Sequence, residues 1–424
     1  MSQADAKHGN SEYTVGWICA LQTEHVAAKA FLDERHEGPE NRLKNDNNSY
    51  TLGRIGGHNV AIACLPKGEY GIASATGVAK DMLHSFSNIK IGLMVGLGGG
   101  APTKKYDIRL GDVVVSSPFN GQGGVVQYDF GRAIQDQEFQ PTMHLDKPPE
   151  FIRTAVSDLE TEHEMNGHQF EETINDVLDK YPRLRRNYKR PDPSSDKLYK
   201  SHIIHLFDNE GDCAKTCGVD ASKLVARPAR TEADDNPTIH YGLVASGSLL
   251  MKDALKRDKL AEQSKVLCFE TEAAGLMNRF PCLVIRGICS YSDSHTNKEW
   301  QGYAAMTAAA YAKALLLQIP PSKIEHEEIF VEDSADVYGV VVSTRTKVDT
   351  VDSHSKTKED REFLDWISNI PRDSPQSDIF GDESQKSVNG VRILRSIKHG
   401  TADARLHRSA RAFPEQEGQS SPQY

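Results

Sequence analysis

Apolar residues fall in short unbroken runs over the first three quarters of the chain. Residues 13–21 (YTVGWICAL), 58–65 (HNVAIACL) and 91–97 (IGLMVGL) each read as a strand buried on both faces. Between them, 23–31, capped by Gln22 or Thr23, and 72–86 have the spacing of helices. Doubly apolar strands alternating with helices predict a covered, largely parallel sheet. Residues 110–116 and 124–130 continue that sheet at its edge. The pattern then changes: 150–164 is helical, but the following stretch to about 235 is polar, with a loop signal at Pro191, Pro193, Ser194 and Ser195. About 148–236 therefore reads as an insertion. The core pattern resumes with a strand at 240–246, a helix at about 249–261 and an apolar strand at 281–288. Within 268–295 (CFETEAAGLMNRFPCLVIRGICSYSDSH) a strand end carries Glu270 and Glu272, followed by a helix over 271–277. An Ala-rich helix, 303–317, closes the domain and is stopped by Pro320 and Pro321.

The pattern gives one α/β domain over 12–320 and a tail over 329–424. The 424 residues are 38% hydrophobic, and that material is unevenly spread. Beyond Ile329 the chain is rich in Ser, Asp, Lys and Arg, with apolar islands only at 363–370 and near 391–397. Neither island builds a core alone, so the tail reads as disordered or linking. A net charge of -10 argues against general nucleic-acid binding, and the basic cluster at 183–190 reads as a solvated insertion surface. The polar N-terminus lacks a signal-peptide core, and no window nears the roughly 18 apolar residues of a membrane span. Cysteines scattered through apolar strands suit buried free thiols in a reducing cytoplasm.

Four groups of residues are able to carry chemistry. GLGGG at 96–100 follows a strand directly, and such a run lets backbone approach a ligand or simply makes a tight turn. No Lys-Ser or Lys-Thr follows it and the dinucleotide spacing is missing, which disfavours kinases and nicotinamide enzymes. Glu24 lies just past the first strand, where a carboxylate also suits a helix N-terminus. Glu270 and Glu272 share one face of a strand end, able to converge on a polyhydroxylated ligand or to pair with Arg286 on the next strand. His202, His205, Cys213 and Cys217 match structural zinc spacing poorly and read as loop residues. No metal and no cofactor are expected.

Taken in order, ALQTEH, GLGGGAP, LGDVVVS, GGVVQYDFG, ASGSLL, CFETEAAGLMN and RGICSYSDSH resemble the purine nucleoside and uridine phosphorylase superfamily. The nearest branch is that of methylthioadenosine/S-adenosylhomocysteine nucleosidases, in the form carried by fungal multidomain proteins. The resemblance spans residues 13–320. It implies a three-layer α/β/α sandwich around a mixed, mostly parallel sheet, and cleavage of an N-glycosidic bond through an oxocarbenium-like ribose. By resemblance Glu24 holds and activates water, and Glu272, with Glu270 and Thr271 beside it, grips the ribose hydroxyls. Leu97, Gly98 and Gly99 pass beneath the sugar, Tyr70 lines its pocket, and Leu250 and Met251 face the base. The superfamily's phosphorylases place an Arg in the first loop, where this chain offers Glu24; a carboxylate repels phosphate and orders water, so hydrolysis is favoured over phosphorolysis.

Two positions depart from the family pattern. Ser290 stands where purine-cleaving members have an Asp that donates a proton toward N7, and a hydroxyl is a far weaker acid. Thr271 replaces the usual Met. Asp293 takes over the proton-donor role only if its loop is re-aimed. The expectation is a homo-oligomeric nucleosidase acting on a purine nucleoside or nucleotide, with phosphate as the other possible co-substrate; the alternative is a catalytically silent nucleoside-binding or signalling module. The tail segment 361–382 resembles the linker after this domain in large fungal receptors, which suggests a shortened relative or an incomplete gene product.

Overall fold

The computed structural model describes residues 8–327, apart from 42, 137–138, 206–212, 214–216, 219, 232–233, 296–297 and 325–326, and the backbone of three strands within 386–408. The chain divides into two units, Met1–Asp333 and Ser334–Tyr424.

The first unit is a mixed α/β structure around a ten-stranded sheet. Its strands are β1 (Val15–Cys19), β2 (Glu34–Arg35), β3 (Tyr50–Ile55), β4 (His58–Cys64), β5 (Ile91–Gly100), β6 (Val113–Ser116), β7 (Val125–Gln127), β10 (Ile239–Ser246), β11 (Val266–Glu270) and β12 (Leu283–Ser290); β8 (Gly131–Arg132) and β9 (Gln140–Pro141) pair separately. The order is β11-β10-β6-β12-β5-β1-β4-β3-β2, with β7 beside β10. β1 runs parallel to β4 and β5, β12 parallel to β5 and β10 parallel to β6, whereas β6 is antiparallel to β12. The path also returns on itself, because β11 pairs antiparallel with the far end of β5, Phe269 opposite Gly99 and Cys268 opposite Gly100. β5, β12, β6, β10 and β11 thus form a closed circuit.

The helices are α1 (Gln22–Ala30), α2 (Ile72–Ser85), α3 (Glu150–Asn166), α4 (Phe170–Lys180), α5 (Arg185–Tyr188), α6 (Ala254–Ser264) and α7 (Trp300–Gln318). A side chain added at Gly16 of β1 would meet Met82 of α2, while one at Gly287 of β12 would meet the Ala304 carbonyl of α7. The small residues of α7 permit that approach, and most of its side chains are buried. α3, α4 and α5 pack against α7 as well.

Several boundaries differ from the sequence expectation for local reasons. β6 starts at Val113 because Gly111 takes a left-handed φ of 90°. α6 starts at Ala254 because Asp253 accepts from the N–H groups of Leu255 and Lys256. The cap of α1 is Leu21 rather than Gln22 or Thr23, and the Glu24 side chain takes the Leu21 N–H. The helix expected over 271–277 is a single 3-10 turn, Ala273–Gly275. There the Glu270 carboxylate accepts from the N–H groups of Glu272 and Ala273 and the Ser246 hydroxyl from that of Ala274, so side chains replace helical partners.

In the second unit Lys386–Val388, Val391–Lys398 and Thr401–Arg408 form a three-stranded antiparallel sheet, where the sequence predicted no element. Val391, Ile393 and Ile397 fall on the strand period, although Leu394 and Arg395 break the alternation between them. The apolar island at 363–370 lies outside the described residues. No helix among the described residues is long and apolar enough to cross a membrane.

Candidate functional site

A buried charge cluster sits where the ends of β1 and β11 meet β5 and β12. Arg286 of β12 is wholly enclosed and ion-pairs with Glu270, with Glu272 Oε2 3.4 Å from the same nitrogen, Nη2. Its Nη1 donates to the Leu97 carbonyl at 3.3 Å. Burial opposes the Arg286 charge, but Glu270, Glu272 and Glu24 together raise its pKa further. Burial likewise pushes Glu270 up, against the pull of Arg286.

Glu24 enters from the first turn of α1. Its Oε2 accepts from the N–H groups of Ala20 (2.7 Å) and Leu21 (2.9 Å), and Oε1 accepts from that of Leu97 (2.7 Å). Burial nevertheless dominates over these donors and over Arg286, and the carboxyl is pushed up from 4.5 to about 7. A carboxylate at that value is divided between acid and base at neutral pH.

Glu272 is fixed at both oxygens. Oε1 accepts from the Gly71 N–H at 3.2 Å and from the Thr271 hydroxyl, while Oε2 faces Arg286. Thr271 therefore acts through Glu272, a coupling that a Met at this position lacks. Gly71 adopts a φ of 94°, and its neighbour Tyr70 is exposed. On the loop after β10, Leu250 is exposed and Met251 buried; the loop is tied down by Gly247 N–H to the Glu270 carbonyl and by the Tyr128 hydroxyl to the Leu249 carbonyl.

The glycine run has an account within the chain. A Cβ at Gly96 would lie 2.5 Å from Glu24 Oε1 and 2.8 Å from Arg286 Nη1, and one at Gly98 would crowd Arg286 at 3.0 Å. At Gly99 it would meet the Ser292 hydroxyl at 2.1 Å. Bare backbone here makes room for the buried ions and for the loop after β12.

That loop carries the remaining candidates. Ser290, half-buried, ends β12 opposite Gly99, after a register shift following Ile288. Asp293 is buried and turned onto other partners: Oδ1 accepts from the His295 N–H at 2.9 Å, and Oδ2 lies 3.9 Å from Arg257 Nη1. Burial raises its pKa, opposed by His295 and Arg257. Arg257 also donates to the Tyr291 carbonyl at 2.7 Å. The 148–236 region grips the same loop: the Tyr291 hydroxyl meets Asp196 and Arg227, and the His205 N–H donates to the Ser294 hydroxyl at 2.9 Å.

The sequence reading brought Glu24, Glu270, Glu272 and the glycines to one place and named Arg286 only as an ion-pair partner for Glu270 and Glu272. It missed Arg257, Ser246 and Gly71. A lone Arg in an apolar strand is the signal that marks Arg286, since such a charge is buried only when paired. A separate cavity of about 350 Å³, bordered by Lys29, Arg35, Lys180, Tyr181 and Arg183, contains none of the candidates.

No family model matches the chain. It is 43% identical over 318 residues to a nucleotide-binding leucine-rich repeat (NLR)-like protein of Hyaloscypha variabilis, which covers 75% of this chain and 30% of that protein. The chain thus spans less than a third of that relative's length. Among solved structures it is similar to Helicobacter pylori futalosine hydrolase (14% identity, 73% of this chain and 99% of the other, TM-score 0.46). It is similar also to the 5′-methylthioadenosine/S-adenosyl homocysteine nucleosidase of the same organism (14%, 74% and 100%, 0.46) and to the MTA/SAH nucleosidase of Streptococcus pneumoniae in complex with 8-aminoadenine (16%, 72% and 100%, 0.43).

Proposed function

We propose that the first unit hydrolyses the N-glycosidic bond of a purine nucleoside or nucleotide, with Glu24 as the base that activates water and Glu272 on the ribose hydroxyls. The observation that carries this reading is the Glu24 carboxyl. It is buried, oriented by three backbone N–H groups, and poised at about 7, the range a general base needs at neutral pH. Glu272, held in place by Gly71, Thr271 and Arg286, is preorganised for bidentate contact with a diol. The ordered motifs of residues 13–320 support the same reading. Exposed Tyr70, Leu249 and Leu250 would line the sugar and base subsites, or be covered by a second copy in a homo-oligomer. We further take the domain, 12–320, as a three-layer α/β/α sandwich; the packing of Gly16 toward α2 and of Gly287 toward α7 supports it. The free thiols suit a cytoplasmic setting.

Chromatographic detection of adenine from adenosine or methylthioadenosine, without phosphate, tests the proposal. With Ser290 in place of a carboxylic acid, turnover is slow, and Ser290→Asp should raise it at least about tenfold by supplying the missing acid. No release from either protein at high concentration, together with a rise in melting temperature on adding adenosine, would instead establish the silent binding module.

The pH profile is a further expected result. Ionised Glu24 is the active form, so kcat/KM should climb about tenfold per pH unit below 7 and level off above it. Stability should run the other way. A carboxyl whose folded pKa exceeds its unfolded value binds more protons when folded, so its contribution is complete below 4.5 and is lost as pH rises through 7. A flat rate profile between pH 5 and 8, the range about that value, would remove Glu24 as the base.

A further inference from the structure

Outside the charge cluster, the fold assembles a second group that its sequence spacing conceals. Cys213 and Cys217 are four residues apart in sequence and close in space, the Cys217 N–H donating to the Cys213 carbonyl at 2.9 Å. His205 presents Nδ1 to both thiols, 3.0 Å from Cys217 Sγ and 3.4 Å from Cys213 Sγ. His295, on the loop after β12, completes the set: one ligand atom from each of the four residues lies within 4.8 Å of all the others.

We propose that His205, Cys213, Cys217 and His295 bind a zinc ion. Zn–S near 2.3 Å and Zn–N near 2.05 Å in a tetrahedron put sulfur and nitrogen about 3.5 Å apart, close to the two separations here. His295 supplies the independent sign. It is 7% exposed, its Nε2 lies 3.1 Å from the Ile203 carbonyl, and among the described residues its Nδ1 has no hydrogen-bond partner. Donation from Nε2–H to a carbonyl fixes the tautomer that leaves a lone pair on Nδ1, the arrangement metal-bound imidazoles use. The surroundings are built as support. The Tyr199 ring stacks on His295 at 3.9 Å between centroids, and its hydroxyl donates to the Gly218 carbonyl at 3.1 Å.

The chemistry balances. Binding takes up Zn²⁺ and releases the two thiol protons, leaving a neutral S₂N₂ complex that is buried without an uncompensated charge. His202, which the sequence grouped with these residues, is exposed and stands apart from the set. The ion would join His205, Cys213 and Cys217 to the loop that follows Ser290, acting as a structural clip and not as a reactant. A closed four-ligand set leaves no open position for water.

The full-length chain, purified reduced and without chelator, should carry about one zinc per chain by inductively coupled plasma mass spectrometry. Refilling the stripped protein with Co²⁺ alone should give thiolate-to-cobalt charge transfer and the visible bands of tetrahedral S₂N₂ cobalt. Cys217→Ser and His295→Asn should each lower zinc affinity at least about tenfold, while His202→Ala leaves it unchanged. Wild-type protein that takes up neither zinc nor cobalt while its thiols titrate as reduced would overturn the proposal, whatever the variants do. So would an octahedral cobalt spectrum without the thiolate band.

Discussion

Glu24→Gln should lower adenine release by about 10²- to 10⁴-fold, the usual worth of a positioned general base. Gln preserves the shape but cannot take a proton from water at neutral pH. The change has a second effect, since Glu24 Oε2 accepts from two N–H groups while Oε1 takes that of Leu97. An amide has one acceptor oxygen, so its nitrogen must oppose at least one of these donors, and some stability is lost. Melting curves with and without adenosine separate the two consequences. A folded variant that still gains stability from ligand but releases no base identifies Glu24 as the base. An unchanged rate would move that role elsewhere.

Arg286→Met should destabilise the first unit by about 3–5 kcal/mol, as removing one partner of a buried ion pair does. The loss is electrostatic in origin, because Glu24, Glu270 and Glu272 would then share an enclosed space with no cation. Two readouts expose that origin in urea unfolding. Adding Glu270→Gln to the variant should recover part of the loss, and the deficit should shrink on acidification as the carboxyls protonate. If neither happens, Arg286 contributes by packing alone, and the charge cluster is not the organising feature of the site.

Much of this architecture is legible in the sequence. Continuous apolar runs gave β1, β4, β5 and β12 within a few residues, because strands buried on both faces have no polar period to obscure them. Glu24, Glu270 and Glu272 stood out because carboxylates beside such strands need a reason. What stayed hidden depends on distance along the chain or on side chains standing in for backbone. Local composition at 271–277 favours a helix, yet the N–H groups there are taken by Glu270 and Ser246. The grouping of His205, Cys213 and Cys217 with His295 was likewise invisible to local spacing, because His295 comes from another loop altogether. Asp293 was a proton donor only if its loop were re-aimed, and the fold reveals what holds it, Arg257 and the His295 N–H.

The closed strand circuit also sets an order of events on the ribosome. Glu24 and the glycines of β5 emerge early, but β11 and Arg286, which complete the circuit and neutralise the carboxylates, follow far later in synthesis. Until then a nascent chain holds an apolar sheet with its end unsealed and its acidic groups still in water. Contacts of such long sequence separation are slow to form. The charged centre is therefore completed only once β12 has been made, and a chain halted before β12 has the three carboxylates without the cation that lets them be buried.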